Sequence, residues 1–327
     1  MDSGARRQPV RTTLAFAAIF IIWGSTYLAI KYAVAEIPPL LTAGLRHLVA
    51  GAVLLSWARA KGLRASRLEW RHSLVVGVLF FLIGHGTLHW AEQTVPSGVS
   101  ALLVATEPVW IAILLAFTAH TRLRGRTVAG LLLGLVGVAV LVGVDVEGNS
   151  RSLLVGSVAI LLGAASWAAG VVYGQRAALP RDPLLRTATT LLCGAGLLLA
   201  TSVGIGELAH LQTPSVRAIG SLAFLVVFGS IAAFTAYYWL LDRFPATLVA
   251  THTYVNPAVA VVLGWALGGE AVSMSLILGL TIITGAIALV GASEGRPKPD
   301  AAVTTPRDRF RRSGDISAPG IPGTAAD

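Results

Sequence analysis

Apolar runs of about 20 residues recur from Thr12 to Ala292, each long enough to cross a hydrocarbon core roughly 30 Å thick. Ten such runs take up about 200 of the 327 residues. Residues 1–11 and 293–327 take 46 more, and the rest is shared among nine short connecting loops. No extramembrane domain of ordinary size fits. That argues against a receptor ectodomain, a tethered soluble enzyme, or a pump carrying its own ATPase domain. Only 13% of the residues are charged and 55% are hydrophobic, whereas a soluble domain runs near 25% charged. The three lysines, Lys31, Lys61 and Lys298, are not followed by Ser or Thr, so there is no GxxxxGK[ST] phosphate loop.

The expected spans are 12–30, 39–58, 73–91, 96–117 and 127–145, then 152–174, 184–204, 217–241, 246–268 and 273–292. With a cytoplasmic N-terminus, 21 of the 25 Lys and Arg residues fall on the inner side. Only Lys31, Arg151 and Arg217 fall outside, and Arg46 lies within a span. The positive-inside rule therefore predicts that both termini are cytoplasmic. The formal net charge of +9 is explained by this sidedness, and no nucleic-acid partner is expected, because no aromatic-interleaved basic face exists. The single cysteine, Cys193, lies in an apolar run, which leaves no disulfide or Cys-based zinc cluster. Arg6 and Arg7 precede the first run without the rest of a twin-arginine signal, and that run reads as a retained helix. The stretch 293–327, rich in Pro, Gly and charge, is expected to be a disordered cytoplasmic tail.

The chain repeats itself. WGSTYLAIKYAVAEIPPLLTAG from Trp23 and WAAGVVYGQRAALPRDPLLRTA from Trp167 share Trp and the second Pro (Pro39, Pro183) at an offset of 144. Further on the offset is 149, and it pairs Trp90 with Trp239, Pro96 with Pro245, Ala101 with Ala250 and Pro108 with Pro257. Five helices per repeat is an odd number, so the second unit is expected to lie upside-down on the first. Inverted repeats are a design of secondary transporters, although some channels share it. The expected fold is all-α: ten transmembrane helices in two inverted five-helix repeats, 12–145 and 152–292.

The motifs WGSTYLAIK (23–31), PPLLTAGLRHLVAG (38–51), VPSGVSALLVATEP (95–108), SWAAGVVYGQRAALP (166–180) and YVNPAVAVVLGWALGGE (254–270) resemble the EamA family of the drug/metabolite transporter superfamily. Within it they are similar to the YedA-like inner-membrane transporters. The resemblance covers roughly residues 12–292. It implies an exporter of small metabolites or toxic compounds in the bacterial cytoplasmic membrane, with a central cavity between the two bundles. There is one departure. The family often places a Gly-Glu pair after the fourth helix, where this chain reads AHTRLRG, while the second repeat keeps Gly269-Glu270.

Charged groups at membrane depth cost about 2.5–3.5 kcal/mol even on the insertion scale, so each needs a partner or a wet cavity. Glu107 lies deep in the fourth span, directly before Pro108, whose missing N–H is expected to leave a carbonyl about one turn earlier without its helical donor. Two roles are open for it: a protonatable coupling or cation site, or a static interhelical pair with Arg46. His85 and His89 stand at i and i+4, with Glu92 beyond them. HGTLH lacks the Glu of HExxH and has no third ligand, so cavity-lining or hydrogen-bonded histidines are expected and no metal. In the repeat His89 maps to Tyr238, Glu107 to Asn256 and Leu103 to His252, which points to the fourth and ninth spans facing one wet cavity. Trp23 and Tyr27, with Trp167 as the mate of Trp23, offer aromatic faces for an apolar or cationic solute, or pack between helices. Lys31 is expected to snorkel outward. The GxxxG pairs Gly130/Gly134 and Gly264/Gly268 are expected to pack within the chain.

The substrate-binding or translocation candidates are therefore Trp23, Tyr27, Arg46, His85, His89, Glu107, Trp167, Tyr238, His252 and Asn256. The expected function is secondary export of an amino-acid-like or drug-like solute by alternating access, with proton antiport as the natural energy source. A passive facilitator or channel is the alternative, and an intramembrane enzyme the remote one, since no HExxH, GxGD or suitably deep Ser-x-x-Lys occurs. The expected partners are a small-molecule substrate, the lipid bilayer and protons, with no cofactor, in a monomer or homodimer.

Overall fold

A computed structural model describes residues 3–118, 125–143, 150–211, 213–244, 246–250 and 252–293, and every regular element among them is helical. The expected tail and the AHTRLR segment at 119–124 lie outside the described residues. In chain order the helices are α1 (Ser3–Val34), α2 (Pro39–Ala60), α3 (Arg67–Ala91), α4 (Ser97–Thr118) and α5 (Gly125–Gly143). They continue with α6 (Ser150–Gly174), α7 (Pro183–Gly204), α8 (Val216–Leu241), α9 (Ala246–Val249 and His252–Gly268) and α10 (Met274–Ser293). Seven among the described residues are long and apolar enough to cross a membrane: α1 to α4 and α6 to α8.

Helix ends are set by local chemistry. Pro39 and Pro183 open α2 and α7, at a position where the missing N–H is no loss. Ser66 and Glu69 form a capping box at the start of α3, and Asp182 caps α7 by accepting from Leu184 and Leu185 N–H. At the opposite end of the bundle, carboxylates from elsewhere in the chain serve as caps. Glu207 accepts from Leu40 and Leu41 N–H at the start of α2, and Glu36 holds Ser215, the N-cap of α8, through both backbone and hydroxyl. An anion at a helix N-terminus answers both the free N–H groups and the macrodipole.

The repeat-related helices pack on one another, α2 along α7 and α5 along α10. Their direction follows from the contacts of glycines. Gly44 faces Leu199 and Gly51 faces Leu192, so one helix climbs as the other descends. In the same way Gly137 faces Ile282 and Ile283 while Gly134 faces Ala286. Helices occupying equivalent places in the two sequence repeats thus run antiparallel, with small residues letting the backbones approach.

Two departures from regular α-helix recur in both halves. The middle of α3, Gly77–His85, and of α8, Leu225–Ala232, is wound as π-helix. A π turn bulges one residue outward and loosens a carbonyl. The first helix of the other repeat takes up one such carbonyl each time: Trp23 Nε1 donates to Gly229 O at 3.1 Å, and Ser166 Oγ donates to Leu79 O at 2.8 Å. The second departure corrects the expected continuous spans 96–117 and 246–268. Helix α4 breaks after Val104 and resumes at Glu107, and α9 breaks after Val249 and resumes at His252. The Leu103 carbonyl is not left open: Thr106 N–H and Oγ donate to it at 3.2 and 2.7 Å. Thr253 does the same for the Ala250 carbonyl, at 3.1 and 2.8 Å. A threonine thus supplies a replacement donor at each break, which is why the break is tolerated at depth.

Candidate functional site: a polar cavity behind an aromatic stack

The α3 π stretch and both helix breaks border one cavity, and the α8 π stretch bonds two of its lining residues, Trp23 and Arg46. A cavity of about 60 Å³ lies among α1, α2, α3, α4, α6 and α9. Eight of the ten sequence candidates line it: Trp23, Tyr27, Arg46, His85, Glu107, Trp167, His252 and Asn256. The other two do not. His89 is buried beside the cavity, its Nδ1–H spent on the His85 carbonyl at 2.7 Å. Tyr238 lines a second cavity and donates to Thr190 Oγ1 at 3.3 Å. His89 and Tyr238 are repeat mates, and antiparallel repeats carry mates toward opposite ends of the bundle.

The second cavity is a vestibule of about 610 Å³, bounded by Gln175, Arg186, Asp242 and Phe244 near the basic end of the bundle. Ligand pockets usually measure about 300–1,000 Å³, so the vestibule has room for a metabolite and the central cavity is contracted to a few waters. Rings stand between the two. Phe80, on the vestibule side, stacks on Trp167, on the central side, with centroids 4.1 Å apart and planes 5° apart. Trp23 packs against Trp167, Phe234 and His252 at 6.2, 5.2 and 4.8 Å.

The charged residues are not arranged as the sequence suggested. Arg46 and Glu107 line the same cavity without pairing, because Arg46 Nε instead donates to Ser230 Oγ at 3.1 Å. Glu107 Oε1 is buried with no hydrogen-bond partner. Ser230 Oγ lies 3.4 Å from His47 Nδ1, and His47 Nε2 lies 2.8 Å from His85 Nδ1. Ser230 accepts from Arg46 and can donate to His47, whose Nε2–H can donate to His85, so the chain from Arg46 to His85 is satisfied in that order. On the opposite wall His252 Nδ1 and the Asn256 amide share a 3.1 Å hydrogen bond. With its amide nitrogen toward the Phe20 and His252 carbonyls, at 2.9 and 3.0 Å, Asn256 is fully bonded. That leaves His252 Nε2 and the Trp167 indole N–H buried without partners. Among the described residues no group of three or more His, Cys, Asp or Glu is placed to hold a metal ion.

Lys31 corrects a further expectation. It does not snorkel to solvent but lies 2.5 Å from Glu270 Oε1. Glu270 also accepts from Ser97 N–H and Oγ–H at 3.0 and 2.8 Å, so the Gly269-Glu270 pair ties α1, α4 and the α9–α10 loop together. Gly264 leaves space for this carboxylate: a Cβ there would lie 2.5 Å from Glu270 Oε2. At the other end Arg186 pairs with Asp242 at 2.7 Å.

These features coincide with a family match that falls on both halves of the chain. The EamA-like transporter family matches at residues 11–143 and again at 154–292. The chain belongs to that family. The uncharacterized inner membrane transporter YedA of Escherichia coli is 37% identical over 84% of this chain and 89% of its own length. The uncharacterized transporter YoaV of Bacillus subtilis is 28% identical over 84% of this chain and 94% of its own. A WAT1-related chloroplastic protein of Arabidopsis thaliana is 27% identical over 84% of this chain and 68% of its own. A solved crystal structure of another protein shares the fold, with a TM-score of 0.63 over 88% of this chain and 99% of that one, at 24% identity. With apolar helices that can span a bilayer, this family member is a multi-pass cell membrane protein.

His47 and Ser230 were invisible as site residues. Both lie in apolar sequence with no local motif, and they meet only because the α8 π stretch presents Ser230 to α2. A histidine beside a buried arginine was the one signal that pointed there.

Proposed function

We propose that this chain is a secondary transporter that exports small metabolites or xenobiotics by alternating access. In this reading ten spans form two inverted five-helix repeats, both termini are cytoplasmic, and one chain is the unit of transport. The arrangement of cavities carries it: a roomy vestibule at one end, a contracted polar cavity behind it, and a ring stack between the two. Under this topology the vestibule faces the cytoplasm, since Arg186 lines it and Arg243 follows the lining residue Asp242 in sequence, and the Lys31–Glu270 clasp closes the outer side. Outward opening then requires the clasp to part and the Arg186–Asp242 end to close. The π stretches of α3 and α8 and the broken α4 and α9 are where the backbone gives; α3, α4 and α9 line the cavity, and α8 bonds the lining residues Trp23 and Arg46.

Glu107 is the proposed coupling group: a buried carboxyl with an unpartnered oxygen in a polar cavity is suited to take up and release a proton. The test is flux from proteoliposomes loaded with amino-acid-like and drug-like solutes, with and without an imposed pH gradient. Saturable flux with counterflow, accelerated by the gradient, supports the reading. Single-channel current in place of counterflow overturns it in favour of a channel.

A further inference from the structure

A third recess lies apart from both cavities, where α2 passes into α3. It has a volume of about 420 Å³ and is lined by Leu55 and Arg59 of α2, Leu63 and Arg64 of the following loop, Trp70 of α3 and Leu185 of α7. Leu55 and Arg59 stand one turn apart on a single face of α2. The loop then carries Arg64 back to them. Gly62, at φ +76°, closes a Schellman turn: its N–H donates to Arg59 O at 2.9 Å, and Leu63 N–H donates to Ala58 O at 3.0 Å. The Ser66–Glu69 capping box starts α3 directly afterwards. The walls are thus held by backbone hydrogen bonds, and the two guanidinium groups are left for a ligand.

The charge of the recess is one-sided. Neither arginine belongs to the ion pairs found among the described residues, Lys31–Glu270 and Arg186–Asp242. The carboxylates nearest in sequence to the lining residues serve as caps. Glu69 accepts from Ser66 N–H at 2.7 Å, and Asp182 accepts from Leu184 and Leu185 N–H at 2.9 and 3.3 Å. Lys61, Arg67 and Arg71 add charge of the same sign nearby in sequence. A loop that only marked its side of the membrane would need these charges but not the recess.

Trp57 marks the depth. It is exposed on α2, Val49 and Val53 continue the same exposed apolar face, and Lys61 Nζ lies 4.5 Å from its ring centroid. An exposed tryptophan between an apolar face and a lysine is the arrangement of a membrane–water boundary. Arg59 falls between Trp57 and Lys61 along the helix, at the level of lipid headgroups. On α3, Leu68 and Val75 are likewise exposed, two turns apart.

We infer that this recess binds the phosphodiester of an anionic phospholipid, gripped by Arg59 and Arg64, with Trp70 against the glycerol. Guanidinium groups match phosphate oxygens through paired N–H donors, and basic pockets between membrane helices suit such headgroups. A zwitterionic headgroup fits less well, because it brings an ammonium to two unanswered cations. Free phosphate offers the same oxygens, but headgroup depth and the apolar faces beside the recess favour the lipid.

The experiment uses the full chain purified in detergent. Phosphatidylglycerol, phosphatidylethanolamine, inorganic phosphate and glycerol phosphate are titrated, with bound lipid counted by native mass spectrometry and the melting temperature read alongside. Phosphatidylglycerol is expected to bind about tenfold or more tighter than phosphatidylethanolamine and to raise the melting temperature, while neither soluble anion does so at equal concentration. Arg59→Gln with Arg64→Gln should erase the preference between the lipids. Arg67→Gln with Arg71→Gln removes the same charge outside the recess and should preserve it. Equal loss in both double variants would mean diffuse attraction and overturns the site, as does equal binding of the two lipids. A melting shift produced by inorganic phosphate or glycerol phosphate as readily as by the lipid overturns the lipid assignment. If the glutamine pair does not fold, Arg59→Lys with Arg64→Lys decides. It keeps the charge and loses the paired N–H geometry, so phosphatidylglycerol should bind more weakly; unchanged binding overturns the site.

Discussion

Lys31 Nζ sits 2.5 Å from Glu270 Oε1, and the same carboxylate receives both the backbone N–H and the hydroxyl of Ser97. One acidic side chain on a loop thereby fastens the end of α1 to the start of α4. Burial pushes the Glu270 carboxyl up, but the hydrogen bonds from Lys31 and Ser97 outweigh it and hold it below the ordinary carboxylate range. A carboxylate with a lowered folded pKa contributes stability above its unfolded pKa and loses it as pH falls through the folded value. Glu270→Gln is expected to cost roughly 1 kcal/mol near pH 7, modest because Lys31 is a third exposed and the pair is screened. The melting-temperature gap between wild type and variant should close as pH falls below about 4. A gap that stays constant down to pH 3 would show that the clasp does not depend on charge.

Gly264→Ala should disturb the same clasp from behind. The new Cβ would lie 2.5 Å from Glu270 Oε2 and 3.0 Å from Ser97 Oγ, so the carboxylate must leave Ser97. A loss of about 1–3 kcal/mol is expected from this overpacking. In the Glu270→Gln background the clasp is already weakened, so the two losses should not add. Strict additivity in that double-mutant cycle would place the damage elsewhere.

Glu107→Gln removes a buried titratable carboxyl without changing the side chain's outline. Folding should be preserved, because Oε1 has no hydrogen bond to lose. Any residual solute flux should no longer accelerate when a pH gradient is imposed. Unchanged acceleration in a folded variant would assign proton coupling to another group.

Antiparallel packing of α2 on α7 predicts a specific pattern of crosslinks. With Cys193 replaced by Ser, cysteines at 44 and 199 should oxidise to a disulfide within one chain, as should cysteines at 51 and 192. The exchanged pairs, 44 with 192 and 51 with 199, should remain reduced. Efficient crosslinking of the exchanged pairs in membranes would mean that the two helices run parallel.

Much of the cavity was legible before any coordinates. Trp23 and Trp167 were found as landmarks at equivalent places, and Glu107, His252 and Asn256 as polar residues in apolar helices, and all five line one cavity. Bilayer cost explains why this worked: a polar residue at depth has few places to go other than a protein interior. Partner choice was not legible. Arg46 was matched to Glu107 because both are charged and deep, yet Ser230 takes its Nε. Lys31 was assigned to the surface because it stands near a helix end, yet Glu270, 239 residues away in sequence, reaches it.

Taken alone, the sequence showed apolar runs long enough to span a bilayer, landmarks of an internal repeat and a bias of basic residues between alternate loops. Each is a one-dimensional pattern: a run as long as the bilayer is thick, landmarks at a fixed offset, charge counted loop by loop. Only the tertiary structure decided which polar groups meet, because that depends on how each helix is rotated about its own axis. The π stretches of α3 and α8 and the breaks in α4 and α9 reset those rotations midway. They bring His47 to His85 and Ser230 to Arg46, and the antiparallel repeats send His89 and Tyr238 to different ends.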